Sequence, residues 1–178
     1  MLVFLEDTLR VSQLLAINGL YLSPRQRVVD MYDRILVPTD GSDGTRGAVE
    51  HAIDLATTHD AALHTIYVVD TNVGTDASVP GTLGVLEQAG EAAIDEVIQQ
   101  AKAAGVDTIE GVLAQGAPHQ AILAYVDEHD IDLVVMGTHG RTGLDRYLLG
   151  SVTEKVVRLS DAPVLTVRLP VEPSTESS

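Results

Sequence analysis

The sequence contains no cysteine and no tryptophan, one phenylalanine, and lysine only at Lys102 and Lys155. Without cysteine there can be no disulfide and no zinc–thiolate centre, which suits the cytoplasm, and a cytoplasmic protein is expected. So few aromatic rings argue against a base-stacking platform for single-stranded nucleic acid. Long apolar runs are missing as well. Residues 14–22 are mostly apolar but fall far short of the roughly 20 residues a membrane span needs. Near the start stand Glu6 and Asp7 rather than the positive charge of a secretory signal. The six histidines show no i, i+4 pair of the kind that holds a metal. No metal site is expected.

Negative charge, by contrast, is abundant. The 178 residues carry a formal net charge of −15, and the isoelectric point is near 4.5. Such a surface repels nucleic-acid phosphate and anionic lipid, so neither is expected as a partner. Acidic, lysine-poor surfaces also suit proteins that stay soluble in concentrated salt, and a halophilic host is expected. The length is one domain's worth, enough to bury a core without disulfides or metal.

From Arg34 onward, strand and helix patterns alternate. Ile35, Leu36 and Val37 read as a buried strand, followed by turn chemistry over Pro38, Thr39, Asp40, Gly41 and Ser42. Ser42 or Asp43 can cap a helix with Ala48, Ala52, Leu55 and Ala56 on its apolar stripe. Residues 61–69 form a second strand, and residues 71–82 a Gly/Thr/Asp-rich loop, a candidate lid. A long helix then presents Leu86, Ala93, Val97 and Ala101 on one side and ends at Gly105. Residues 108–113 alternate as an edge strand does. Pro118 suits a first helical turn, with Ile122, Tyr125, Val126 and His129 on the buried side.

The stretch that organises the rest is an apolar run over residues 131–136, broken only by Asp132, then Gly137 and glycines at 140 and 143. These glycines allow tight turns and close approach to a ligand. A helix opens at Gly150 and Ser151, and its first N–H groups have no intrahelical acceptor. Strand, glycine-rich loop and free helix N-terminus together make an anion site, most often for phosphate. Two plainer readings compete: glycine turns need not bind anything, and Ser151 with Glu154 has capping-box spacing. Arg141 and Arg146, with His139 nearby and only Asp145 opposing, favour the anion. No Gly-Lys-Ser/Thr follows the glycines, so this is not a P-loop. Val164, Leu165, Thr166 and Val167 form the last strand, and residues 169–178 a Pro/Ser/Glu tail expected to be disordered. Strands separated by helices imply an α/β fold, a parallel sheet with helices on both faces.

The spacing Gly137-x-x-Gly140, nine residues, then Gly150-Ser151 resembles the nucleotide loop of the universal stress protein family, in its ATP-binding branch. The stretch from Arg34 to Ser42 resembles that family's first strand and turn, and Ala162-Pro163-Val164-Leu165-Thr166-Val167 its last strand. The resemblance covers residues 31–168. It implies a doubly wound five-stranded sheet of order 3-2-1-4-5, whose crevice lies between strands one and four. There it implies ATP or a related adenine nucleotide, with Mg2+ as an optional companion. The implied contacts are Pro38, Thr39 and Asp40, Val68 beside the adenine, and Gly137, Gly140, Arg141, Gly150, Ser151, Val152 and Thr153 around the phosphates. Backbone amides would do most of the binding, with the Ser151 and Thr153 hydroxyls as added donors.

From its own chemistry, an ionised Asp40 can accept hydrogen bonds from ribose hydroxyls, or simply shape its turn. His64 lies in a strand and reads as a satisfied core histidine. No base is paired with a nucleophile, so no catalytic residue is named and at most slow ATP hydrolysis is expected. Val164, Leu165 and Val167 form an edge that self-pairing would protect, so a homodimer through the last strand is expected. Residues 1–30 fall outside the domain. Residues 5–17 can form a loosely amphipathic helix, or Met31 is the true start. The reading is a nucleotide-binding stress protein acting as sensor or regulatory module. Its rivals are a slow ATP-hydrolysing enzyme and a dimerisation module that binds no nucleotide.

Overall fold

Five short apolar runs become five parallel strands, because each of the first four is followed by a helix that carries the chain back across the sheet. The computed structural model describes residues 31–71, 82–138 and 149–168. In chain order the elements are β1 (Arg34–Pro38), α1 (Asp43–His59), β2 (Ala62–Val69), α2 (Thr82–Ala104), β3 (Ile109–Gln115), α3 (Pro118–Glu128), β4 (Leu133–Gly137), α4 (Ser151–Leu159) and β5 (Val164–Val167). The spatial order is β3-β2-β1-β4-β5, the doubly wound arrangement expected. Residues 72–81 of the candidate lid (71–82), the segment 1–30 and the tail 169–178 lie outside the described residues.

Alternation along the central strands explains why they are apolar without a break. Ile35, Val37, Leu63, Leu133 and Val135 enter one core with Ala48, Val49, Ala52, Ile53 and Ala56 of α1 and Val97 and Ala101 of α2. Leu36, Ile66, Val134 and Met136 enter the other with Ile122, Tyr125 and Val126 of α3 and Val156 of α4. With α1 and α2 on one face and α3 and α4 on the other, both sides of β1 and β4 are dry. Strand register confirms their central place: Ile35 lies opposite both Leu63 and Leu133.

Several boundaries shift for local reasons. β4 begins at Leu133, not Ile131, because Asp132 turns its carboxylate onto the N–H groups of Asp33 (2.9 Å) and Arg34 (2.8 Å). β3 continues to Gln115, whose side chain donates to Glu87 at 2.8 Å. α2 starts at Thr82, the last residue of the expected loop. α1 ends with Asp60 in the left-handed region (φ 57°), which a short polar side chain tolerates.

Candidate functional site

The chain reverses direction across the sheet between β1 and β4. β1 leads through α1 to β2 on one side, while β4 leads through α4 to β5 on the other. The carboxyl ends of β1 and β4 therefore border a crevice at the topological switch point. Pro38 closes one strand and Gly137 the other, and both are buried.

The β1 wall is a turn held by its own side chains. Thr39 is buried and its N–H donates to the Ile66 carbonyl at 2.9 Å, extending the β1–β2 seam. Asp40 Oδ1 accepts the Ser42 N–H at 2.9 Å and the Ser42 hydroxyl. Gly41, at φ +73°, donates its N–H to the Thr39 hydroxyl at 3.1 Å. Turn shaping is thus a demonstrated role of Asp40. Ser42 is the N-cap residue of α1 by position, but its side chain makes no cap hydrogen bond because it serves Asp40 instead. Beneath them the buried Thr45 hydroxyl lies 3.2 Å from that of Thr39 and 3.0 Å from the Ser42 carbonyl. Thr45 was not anticipated. Its signal was a hydroxyl residue on the buried stripe three positions before Ala48.

The β4 wall is a strand end joined to a helix start. Thr138 donates its N–H to the Val167 carbonyl (3.0 Å), and its own carbonyl accepts the Gly150 N–H (2.8 Å). Thr138 and Gly150 are thereby tied together. Gly150 is the N-cap of α4, without a side-chain cap, and the helical ladder opens with Glu154 N–H on the Gly150 carbonyl at 2.8 Å. Ser151, Val152 and Thr153 are therefore the first three helical residues, whose N–H groups find no intrahelical acceptor. A capping box would need Ser151 at the N-cap; it stands one position later, and Glu154 with it.

Thr153 departs from expectation. Its side chain is buried and its hydroxyl donates to the Gly137 carbonyl at 2.9 Å. That single proton is committed, so the hydroxyl braces the helix start against the strand end and is not an added phosphate donor. Ser151 is exposed. Val68 is half-buried near the end of β2, packed on the core shared with Val152 and Val156. Gly140 and Arg141, with His139, Asp145 and Arg146, lie outside the described residues.

The structure thus brings Pro38, Thr39, Asp40, Gly137, Gly150, Ser151, Val152 and Thr153 to the two strand ends that border one crevice, with Val68 on the neighbouring strand. A pocket of about 270 Å3, lined by residues that include Asp60 and Asp107, lies at the opposite end of the strands. Chemically the crevice offers fixed N–H dipoles on one side and a carboxylate-bearing turn on the other. Among the described residues no helix is long and apolar enough to cross a membrane.

Comparison with known proteins follows this geometry. A family model described as Universal stress protein family matches residues 31–168. Universal stress protein MJ0531 of Methanocaldococcus jannaschii is 40% identical over 145 residues, covering 79% of this chain and 85% of its own. The solved structure of the hypothetical protein MJ0577 from the same organism superposes with a TM-score of 0.72 at 27% identity, covering 80% of this chain and 99% of that one. A universal stress protein solved in complex with cAMP gives a TM-score of 0.60 at 34% identity, covering 77% and 97%.

Proposed function

Since the chain belongs to the universal stress protein family, we propose that it binds an adenine nucleotide, ATP or a close relative, in the crevice between β1 and β4. One observation carries this reading. The N–H groups of Ser151, Val152 and Thr153 open at the switch point with no intrahelical acceptor and no side-chain cap. Such a terminus favours phosphate through hydrogen bonds and through the helix dipole together. The half-buried Val68 supplies apolar surface of the sort a base covers, and the carboxylate of Asp40 can accept from ribose hydroxyls. A relative that holds cAMP supports adenine in particular.

In this reading Gly140 and Arg141 complete the phosphate side. Mg2+, when present, rides on the phosphates rather than in a protein cage, the usual habit of that ion. The protein acts as a cytoplasmic sensor or regulatory module in the stress response, with residues 31–168 as the working unit. It pairs with a second copy along β5. That edge leaves Leu165 exposed, and Val157 and Leu159 of α4 add exposed apolar surface on the element next to it.

The test is direct. Purified protein is denatured and any released small molecule weighed by mass spectrometry, and the stripped protein is titrated calorimetrically with ATP and with cAMP. An adenine nucleotide in the first experiment, or saturable binding in the second, is expected. The absence of both carry-over and binding to either ligand would overturn the proposal.

A further inference from the structure

Away from the crevice, β2 buries an ionisable group that nucleotide binding does not use. His64 is 5% exposed and sits in the sheet opposite Glu110 of β3, beneath α3. Its Nδ1 lies 2.8 Å from the Tyr125 hydroxyl and 3.4 Å from Glu110 Oε2. His129 stacks on the Tyr125 ring at 3.8 Å, and its own ring centre is 6.1 Å from that of His64. From β1, Arg34 donates to the His129 carbonyl (3.2 Å) and pairs with Asp130 (3.5 Å). The cluster thus joins β1, β2, β3 and α3.

We propose that this cluster is a proton-operated joint, in which uptake of one proton at His64 Nδ1 transfers that nitrogen from Tyr125 to Glu110 and loosens α3 from the sheet. The chemistry follows from the donor inventory. Burial and the Glu110 charge push the Tyr125 phenol up to about 12, so it keeps its proton and can donate it to a neutral imidazole. A proton from solvent on the Nδ1 lone pair turns that nitrogen into a donor. The Tyr125 hydroxyl can then only accept from it, and this neutral acceptor competes with the Glu110 carboxylate, the charged acceptor within reach, which draws the N–H away from it.

The direction of response is set by the surroundings. Burial holds His64 below its ordinary 6.5; Glu110 opposes this, and His129 and Arg34 reinforce it. A histidine with a lowered folded value takes up protons more readily when unfolded. Its contribution is complete above about 6.5 and is lost as pH falls from there through the folded value. Because α3 shares a core with Val152 and Val156 of α4, the joint is one packed layer from the anion-facing helix. Its own operation requires no nucleotide.

The experiment uses the full chain. The His64 imidazole is titrated by NMR, and amide hydrogen exchange is compared at about pH 7.5 and about pH 5.5, corrected for intrinsic rates, on either side of the ordinary histidine value. His64 is expected to titrate below 6.5, with protection of residues 118–128 falling several-fold on acidification while α1, on the other face, holds. In His64→Gln the selective loss should vanish. In Glu110→Gln it should begin at the same pH but extend to lower pH and go further, since the cation has lost its acceptor. A wild-type His64 that titrates at or above 6.5, or α3 protection that does not fall relative to α1, would overturn the joint. So would an unchanged acid response in a folded His64→Gln variant.

Discussion

Thr153 shows how much one hydroxyl can decide. It ties the first turn of α4 to the last carbonyl of β4, so the three open N–H groups are held in place before any ligand arrives. Thr153→Val keeps the shape but strands the buried Gly137 carbonyl, at about 1–3 kcal/mol. The expected outcome is a lower melting temperature together with weaker nucleotide binding, both restored in Thr153→Ser. Thermal denaturation and calorimetry on the three proteins check it; a Val variant as stable as the parent would mean that the brace is dispensable. The Asp40 turn and the helix start at Gly150 were legible in the sequence because Asx turns and helix termini are local chemistry. The Thr153 brace spans 16 residues and the His64–Tyr125 bond 61, and no local pattern announces either. His64 was nonetheless readable as a satisfied core residue, since a histidine inside an apolar strand needs a partner.

At the scale of elements, strand and helix type followed from period and punctuation, and α4 and β5 fall at their anticipated ends. What periodicity could not supply was why a glycine sits in the middle of α2. Gly90 costs that helix roughly 1 kcal/mol relative to alanine. A Cβ there would stand 2.5 Å from Leu113 Cδ1 and 2.7 Å from Tyr67 Cδ1. Gly111 on β3 answers it, since a Cβ there would overlap Ile94 and Ile98. The two glycines let α2 lie close on β2 and β3, a tertiary demand invisible to either segment alone. The opposite edge carries a prediction of its own. If β5 pairs with a second copy, Leu165→Lys should convert a dimer to a monomer in sedimentation velocity without loss of helical circular dichroism. A persistent dimer would place the interface elsewhere.

For the whole molecule, the sheet order was legible only through the family resemblance, since alternating strands and helices alone admit several windings. Charge was open to direct reading, and it yields a prediction. A net −15 on a small domain strains the compact state by self-repulsion. Salt shortens the reach of that repulsion from about 30 Å at 0.01 M to about 3 Å at 1 M. Melting temperature and nucleotide affinity should therefore both rise with potassium chloride. Affinity that instead fell steadily with salt would point to local attraction by Arg141. One further consequence lies in the seam between β1 and β4. Asp33 and Asp132, which meet at its base, are 99 residues apart in the chain. A ribosome needs on the order of 5–20 seconds to cover that distance. During that interval Ile35, Leu36 and Val37, destined to be fully buried, have one strand edge without its partner, open to any other extended chain. The hazard this topology carries belongs to the nascent protein, and a chaperone at the exit tunnel would guard it better than any added stability in the finished fold.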